Sequence, residues 1–512
     1  MDTGALRILE DMNDRRLIVL GRTGAGKSAL LATLERAHPD AVIRISPEHL
    51  ALTYVANSTV LNFFNTIGVN LDPFFKLLWR HVLTVEILTH HFKQAAEARP
   101  LLERLKGLFT GGSKNDKDMR QAIKYLEDWG KGFWQDTEFR VKEITSLVET
   151  QLDAEMKATL GAKAASLGSA VKSVERFSES EKAELISRGQ DIISKAQVQD
   201  LHKVLRLLDA VLHDKQRCYY LIVGGLDENW VEERLRYKLI MALMQTARDF
   251  NEVRHAKAIV SLRRDLIERV FRLTRDSGFQ EEKYQSLYLP LVWNKPQILS
   301  LLDKRIGALV TRRYAAATKV THRDVLPKDY KKTLIGDYIF SIAARPRDVI
   351  AYFNTCIGAA SSHAKLGAKE LRLAEGEYSR KRVGALADEW SADYPTLIEF
   401  AAILQKRPSS FKVGAIAEGE ISELCLKIAA DHVGGSGLTN SALQVVDGPM
   451  TAKHFSDLLV RTFYQVGLVG LKLAPHESES WVDGSVSFPE INDQTSVVVH
   501  PAYRRALGMR ES

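Results

Sequence analysis

The sequence has few cysteines and no long apolar run, and these shortages exclude several classes of protein. Only three of the 512 residues are cysteine, at positions 218, 356 and 425, and none has CxxC spacing. Neither a disulfide framework nor a zinc site is therefore supported. No apolar run reaches the roughly 18 residues of a membrane helix, and the N-terminal residues lack the pattern of a secretory signal. We expect a cytoplasmic protein that does not span a membrane.

Negative charge is also scarce in two parts of the chain. The formal net charge is +7; residues 231–275 carry 11 Lys/Arg against 6 Asp/Glu, and residues 303–332 carry 9 against 3. Such enrichment is typical of a surface that binds nucleic acid or nucleotide phosphates, but solvated helix faces have it too. Both interpretations stay open, with nucleic acid as one candidate partner.

One short motif predicts the chemistry of the chain. It matches the pattern G-x-x-x-x-G-K-[ST], follows the apolar run 17–20 and precedes the helix-forming run 29–34. A strand before the motif and a helix after it are the context that a phosphate-binding loop requires. The predicted nucleotide-binding residues are Gly21, Arg22, Thr23, Gly24, Ala25, Gly26, Lys27, Ser28 and Ala29.

The residue types in this motif suit a triphosphate. Glycines let the backbone approach the phosphates, whose charge is held by backbone N–H groups and by the N-terminus of the following helix. Lys27 would reach the outer phosphates, and the Ser28 hydroxyl would ligate Mg²⁺. ATP and Mg²⁺ are therefore the predicted cofactors.

Short apolar runs alternate with helical patterns around this motif. Such alternation predicts an α/β fold with a doubly wound parallel sheet, whose ligand lies at the carboxyl ends of the strands. The runs predicted to form strands are 17–20, 41–45, 218–223, 257–262 and 286–289.

The rest of the chain predicts further domains. Residues 93–200 lack strand signals and predict a helical insertion that divides the P-loop core into 1–92 and 201–292. A helical lid is predicted for 293–390. Short helices and a final β signal predict a winged helix for 391–512. Within the insertion, an apolar stripe at helical spacing predicts packing along a long helix; its residues are Phe139, Ile144, Val148, Leu152 and Met156.

Hydrolysis also requires carboxylates beside the phosphates. The strand at 218–223 is followed by Gly224, where an Asp is expected. In one alternative the strand ends later, Asp227 binds Mg²⁺ and Glu228 orients the attacking water. In the other, the metal-binding carboxylate is missing and turnover is weak. Both acids would also suit a helix N-terminus.

Two pairs of arginines are candidate phosphate sensors. Arg263 and Arg264 follow the strand at 257–262, although Asp265 offers them an internal partner. Arg345 and Arg347 flank a proline that suits a helix start. Either pair would sense the γ-phosphate, or would form local salt bridges instead.

These features together resemble bacterial P-loop ATPases of the ASCE/STAND-like group, often labelled DNA-repair or defence-associated ATPases. Besides the P-loop, the resemblance includes a segment similar to an "IDGLDExW" pattern, at 221–230, and the segments 279–284, 345–347, 378–382 and 500–503. It implies an AAA-like core, sensor roles for Arg263 or Arg264 and for Arg345 or Arg347, and a C-terminal winged helix. Gly224 departs from the family pattern, which has the Mg²⁺-binding Asp there.

We therefore expect an ATPase whose nucleotide state controls its domain arrangement and its engagement of a protein partner or separate effector. Repair or anti-phage defence is implied by the resemblance alone. A nucleotide-gated scaffold with little hydrolysis is the alternative, a vestigial loop is a third, and a homo-oligomer is compatible with each. The expected recognition helix, 451–465, has only Lys453 and Arg461 as strong cations, which disfavours direct DNA reading by the winged helix.

Overall fold

The computed structural model describes most of the chain as two compact units, Asp2–Val292 and Trp293–Ser512 with Met1. The residues described are 3–50, 52–93, 137–160, 177–197, 205, 208, 209, 212, 218–228, 230–274, 281–314, 320–360, 366–431, 437–474, 476–482 and 490–510. Within these ranges no helix has both the length and the apolarity to cross a membrane.

The first unit is built on one sheet of five parallel strands, in the order β2-β3-β4-β1-β5. An α/β fold with a parallel sheet is therefore confirmed, and each of the five apolar runs forms a strand. The strands are β1 (Ile18–Gly21), β2 (Val42–Ile45), β3 (Tyr219–Val223), β4 (Ala256–Arg263) and β5 (Tyr288–Pro290). All five residues of β3 are buried, as expected for a strand covered on both faces.

Helices surround this sheet and extend the core of the first unit. In the insertion, Val148, Leu152 and Met156 are buried, as their spacing predicts, while the side chains of Phe139 and Ile144 lie outside the described residues. The helices are α1 (Ala5–Glu10), α2 (Lys27–Ala37), α3 (Leu52–Asn57), α4 (Thr59–Ile67), α5 (Asp72–Lys93), α6 (Thr137–Leu160), α7 (Glu179–Gln197), α8 (Glu233–Asp249), α9 (Arg264–Thr274) and α10 (Glu282–Gln285).

Strand order places a switch point beside β1. After β1 the chain passes through α2 to β2 at one edge of the sheet, whereas after β4 it crosses β1 to reach β5 at the other edge. Ligands of open parallel sheets bind outside the carboxyl ends of the strands at such a point. The loop after β1 lies there.

The second unit begins with a helical region that also contains a small hairpin. An entirely helical segment was expected over 293–390, but β6 (Asp329–Tyr330) and β7 (Thr333–Leu334) pair antiparallel within it. Two-residue strands are too short for any periodicity to reveal them. The helices are α11 (Lys295–Tyr314), α12 (His322–Val325), α13 (Ile335–Ile342), α14 (Pro346–Ala359) and α15 (Ala368–Trp390).

Three antiparallel strands and several helices complete the second unit. The strands, in the order β8-β10-β9, are β8 (Ser410–Lys412), β9 (Val469–Lys472) and β10 (Ser496–Val499). The expected final β signal comprised the two apolar runs 466–473 and 496–501, which form β9 and β10, whereas β8 was not anticipated. The helices are α16 (Leu397–Ala401), α17 (Glu418–Asp431), α18 (Leu438–Asp447), α19 (Ala452–Gln465) and α20 (Pro501–Arg504).

A buried lysine fastens α1 to the sheet. Lys257 on β4 is only 2% exposed, and its Nζ donates hydrogen bonds to the carbonyl oxygens of Ile8 at 2.9 Å and Asp11 at 2.7 Å. Burial disfavours the ammonium form and lowers the pKa of Lys257 from 10.5 to about 8. Between these two values the unfolded chain binds more protons, so the contribution of Lys257 to stability increases with pH.

Replacing this lysine by methionine should remove that pH dependence. Between about pH 8 and about pH 9.5, we expect the parent to gain about 2 kcal/mol in unfolding free energy relative to Lys257→Met. Urea unfolding of both proteins at the two pH values measures this gain. The assignment is wrong if the two proteins respond identically to pH.

Candidate functional site

The loop between β1 and α2 has a backbone that only glycine adopts without strain at two positions. Gly24 and Gly26 have φ values of 82° and 98°, in the left-handed region. Gly21 is required for a different reason: a Cβ there would lie 2.9 Å from the Cβ of Ala25, which is buried. The chain therefore turns tightly from the end of a central strand into a helix.

The side chain of Lys27 is hydrogen-bonded to the backbone of this loop. It is the first residue of α2, an 11-residue helix, and its Nζ donates a hydrogen bond of 2.7 Å to the carbonyl oxygen of Gly21. A longer contact of 3.4 Å reaches the carbonyl oxygen of Arg22. Ser28 and Ala29 follow in the first turn of α2 and are exposed. The loop thus holds a cation and a helix N-terminus at the carboxyl edge of the sheet.

Arg263 lies next to this loop and links it to the acids after β3. In the pairing of β1 with β4, Arg263 is opposite Gly21. Its guanidinium donates to both carboxylate oxygens of the buried Asp265, at 3.0 and 2.8 Å. Its Nη1 also lies 3.8 Å from Oδ2 of Asp227. The structure therefore brings Arg263 and Asp227 together, while Asp265 gives Arg263 the internal partner that the sequence left open.

Two contacts hold the loop that carries Asp227 and Glu228. The Trp230 indole is buried and its Nε1 donates to the carbonyl oxygen of Leu226 at 3.4 Å. Arg236 on α8, also buried, donates from Nη1 to the carbonyl oxygen of Glu228 at 3.0 Å. Both carboxylates are exposed. The loop therefore exposes both carboxylates to solvent, while these two buried side chains fix its backbone.

The end of β3 falls short of the β1–α2 loop in register. Val223 pairs with Val260, which pairs with Ile18, whereas the loop begins at Gly21. Gly224 follows directly, with open space where a Cβ would lie and no positive φ. A side chain is therefore sterically permitted at position 224.

Glu48 is a residue of this edge that the sequence analysis missed. It lies in the 3₁₀ turn Pro47–Leu50 after β2, which is the strand next to β3. The pKa of the Glu228 carboxyl is raised, first by a hydrogen bond shared with Glu48 and then by repulsion from Glu48 and Asp227. The available signal was an acid just past the end of the run 41–45.

The other candidate arginines have varied surroundings. Arg264 donates from Nε to Glu268 at 3.3 Å within α9. In the second unit, Arg345 donates from Nε to the buried Asp348 at 2.6 Å, and Arg382 contacts the same carboxylate at 3.3 Å. Arg347 is exposed.

The candidate residues therefore form one group in the first unit and another in the second. The first contains the β1–α2 loop, Arg263, Asp227, Glu228 and Glu48; the second contains Arg345 and Arg347. Over the described ranges, no group of three or more His, Cys, Asp and Glu side chains is arranged to hold a metal ion by itself. A metal at the first group would need the Ser28 hydroxyl and a phosphate oxygen as further ligands.

The two glycines at the edges of the site should differ in their tolerance of a side chain. We expect Gly21→Ala to destabilise the first unit by about 1–3 kcal/mol, because its methyl group would overlap Ala25. Gly224→Ala should leave stability unchanged or raise it by about 0.5 kcal/mol, because it restricts only the unfolded chain. Urea unfolding of both variants measures the contrast. Equal stability of the two variants would contradict the described loop geometry.

Comparison with known proteins gives a match within the second unit. The family described as the FunZ-associated C-terminal helical domain matches residues 296–387. The matched segment runs from the first turn of α11 into α15 and does not include the β1–α2 loop. No curated protein matches the sequence.

Proposed function

We propose that the chain is an ATP-binding P-loop ATPase whose nucleotide state controls its domain arrangement and its engagement of a partner. The observation that carries the proposal is the position of Lys27, whose Nζ lies 2.7 Å from the carbonyl oxygen of Gly21, at the start of α2. A strand, a loop with left-handed glycines, and a helix that begins with this lysine form the arrangement that a triphosphate needs.

The residues of the first unit fit Mg-ATP. Lys27 would exchange the Gly21 carbonyl for phosphate oxygens, while loop N–H groups and the start of α2 hold the remaining charge. Ser28 and Asp227 would hold Mg²⁺, which neutralises charge on the outer phosphates. Glu228 would orient the attacking water, and its exposed carboxylate is accessible to one.

Arg263 gives the site a cation that can respond to the nucleotide. Its side chain is shared between Asp265 and Asp227, so a γ-phosphate would compete with these carboxylates for the guanidinium. Arg345 is held by Asp348 and the exposed Arg347 is not, so Arg347 is the better candidate for the sensor of the helical region. This region would be the lid.

The finer architecture is part of the same proposal. We interpret the sheet as an AAA-like core of the ASCE/STAND-like group, and the β8-β10-β9 sheet with α17, α18 and α19 as a winged helix. In α19, Lys453 is paired with Asp457 and Asp493, which leaves it less available to DNA. A role in bacterial DNA repair or anti-phage defence follows from family resemblance, with a protein or nucleic acid as partner.

A nucleotide-gated scaffold with little hydrolysis is the second candidate. Gly224 follows β3 where a metal-binding acid is expected, and Asp227 lies 3.8 Å from Arg263. A carboxylate that is already paired with a cation is a weaker ligand for Mg²⁺. This pairing favours slow turnover.

Nucleotide binding is tested by melting the protein with and without Mg-ATP. We expect Mg-ATP at about 100 times its Kd to stabilise the first unit by about 2.7 kcal/mol, visible as a higher Tm. Lys27→Ala should abolish this rise, because the phosphates lose their principal cation. Lys182→Ala, which removes from α7 a partly buried lysine that is paired with Glu179, is the control and should retain it. A rise that survives in Lys27→Ala would refute the proposed site.

Hydrolysis is tested by adding the missing acid. Because position 224 has room for a side chain, Gly224→Asp should fold normally and increase phosphate release from Mg-ATP, by about tenfold or more if a missing metal ligand limits the parent. Gly224→Asn is the uncharged control and should not increase it. If the parent hydrolyses ATP rapidly and Gly224→Asp has the same rate, the protein is not a scaffold with little hydrolysis.

A further inference from the structure

The helical region of the second unit carries a set of exposed cations that the proposed ATPase site does not use. We call this set the basic surface; its members are Lys304, Arg305, Arg323, Lys328, Lys332 and Arg372. All six are exposed. In the described part of the chain, none of them forms a salt bridge with an acid. They come from α11, α12, the segment before β6, the β6–β7 turn and α15.

Most acids of the same region already have a hydrogen-bond partner within the second unit. Residues 303–375 contain seven Asp and Glu residues against 14 Lys and Arg. Six of the seven acids bind a side chain or cap a backbone N–H, namely Asp303 with His322, Asp324 with Thr321, Asp337 with Lys295, Asp348 with Arg345, Glu370 with Gly367, and Glu375 with Lys331. Asp329 is the seventh and is exposed. Among these acids only Asp324 and Asp329 are exposed, against the six cations of the basic surface.

Contacts between these elements bring members of the basic surface onto neighbouring elements. Asp303 accepts hydrogen bonds from the backbone N–H and the Nδ1 of His322, both at 2.7 Å. This contact joins α11, where Lys304 and Arg305 directly follow Asp303, to α12, where Arg323 follows His322.

The β6–β7 hairpin and α15 carry the other three members of the basic surface. The Tyr330 hydroxyl donates to Oε2 of Glu375 at 3.2 Å and is also within hydrogen-bonding reach of Arg372. Arg372 on α15 thus lies beside the turn that carries Lys332, and Lys328 immediately precedes β6. The hairpin therefore has Lys328 before its first strand and Lys332 in its turn, with Arg372 of α15 nearby.

The turn itself breaks a local rule of protein structure. Lys331 and Lys332 are the two central residues of the hairpin and have φ values of 49° and 60°. Turns of this kind favour Asn-Gly, because a left-handed residue with a Cβ costs about 1–2 kcal/mol. Lys331 is anchored by Oε1 of Glu375 at 2.8 Å. Lys332 has no such anchor in the described structure, so the strain at this position has no structural compensation there.

From the strained lysine and the uncompensated charge around it, we infer that the basic surface binds the phosphodiester backbone of nucleic acid. Single cations distributed over several elements match a chain of single negative charges, and they contact phosphates without reading bases. An acidic protein surface is the less favoured partner, because it normally has cations of its own, which would find only Asp324 and Asp329 as exposed acids within residues 303–375. The inference does not rest on nucleotide binding.

The test measures binding of fluorescein-labelled, 30-base-pair duplex DNA and duplex RNA, and of single strands of each, by anisotropy without ATP. We expect binding to at least one of them at about 50 mM salt, weakening on a log–log plot with a slope of about −3 or steeper. Lys332→Asn should weaken it about three- to tenfold and reduce the slope by about 1, while its Tm stays equal or rises, since asparagine tolerates the left-handed turn. Arg305→Glu with Arg323→Glu should weaken it more than thirtyfold, because like charges then face the phosphates.

The chain offers a closely matched control. Lys406 is also exposed and also left-handed, with φ 59°, but precedes β8 outside the basic surface. Lys406→Asn removes the same charge and the same strain, so it should bind as the parent does. Lys27→Ala should also bind as the parent does, which separates this inference from the ATP site. Parental affinity in both basic-surface variants, absence of binding at low salt, or equal binding of poly-glutamate would overturn the inference.

Discussion

The carboxyl edge of the parallel sheet depends on one backbone constraint, the turn from β1 into α2. Two left-handed glycines and a third with no room for a Cβ let the chain reverse within a few residues. Only this tight turn places Lys27 so that its ammonium reaches back to the Gly21 carbonyl. A polar carbonyl and a cation are thereby held at a strand end, where a phosphate would replace the carbonyl.

The neighbouring strands build outward from this turn. Arg263 lies opposite Gly21 in the sheet, so the register of β1 with β4 places a second cation beside the loop. The buried Asp265 orients its guanidinium and Asp227 approaches it from the loop after β3. Glu48, after β2, adds a carboxylate beside Glu228. The edge therefore alternates cations with acids, and a bound anion or metal would redistribute these pairs.

Most of the sheet was predictable from sequence because buried parallel strands are continuous apolar runs. The runs around Val19, Ile43, Leu221, Ile259 and Leu289 all form strands. The hairpin of β6 and β7 was not predictable, because its strands have two residues each and its turn has lysines in place of turn formers. Tertiary contacts of Tyr330 and Lys331 with Glu375 hold it, and such contacts leave no local pattern.

The site was predictable only in part, for a similar reason. The β1–α2 loop is contiguous in sequence, so its motif identifies the residues directly. The partners of Arg263 depend on the register between β1 and β4 and on the path of the chain after β3, which a single sequence does not specify. Glu48 is distant in sequence from Glu228, and only the pairing of β2 with β3 brings their loops together.

The account depends most on the capacity of the β1–α2 loop to hold a triphosphate. Equilibrium dialysis of the folded chain against radiolabelled ATP with Mg²⁺ measures this capacity directly. The account predicts saturable uptake of one ATP per chain, displaced by unlabelled ATP and not by adenosine, because the phosphates carry the recognition. Absence of uptake by folded protein, or equal displacement by adenosine, would contradict it.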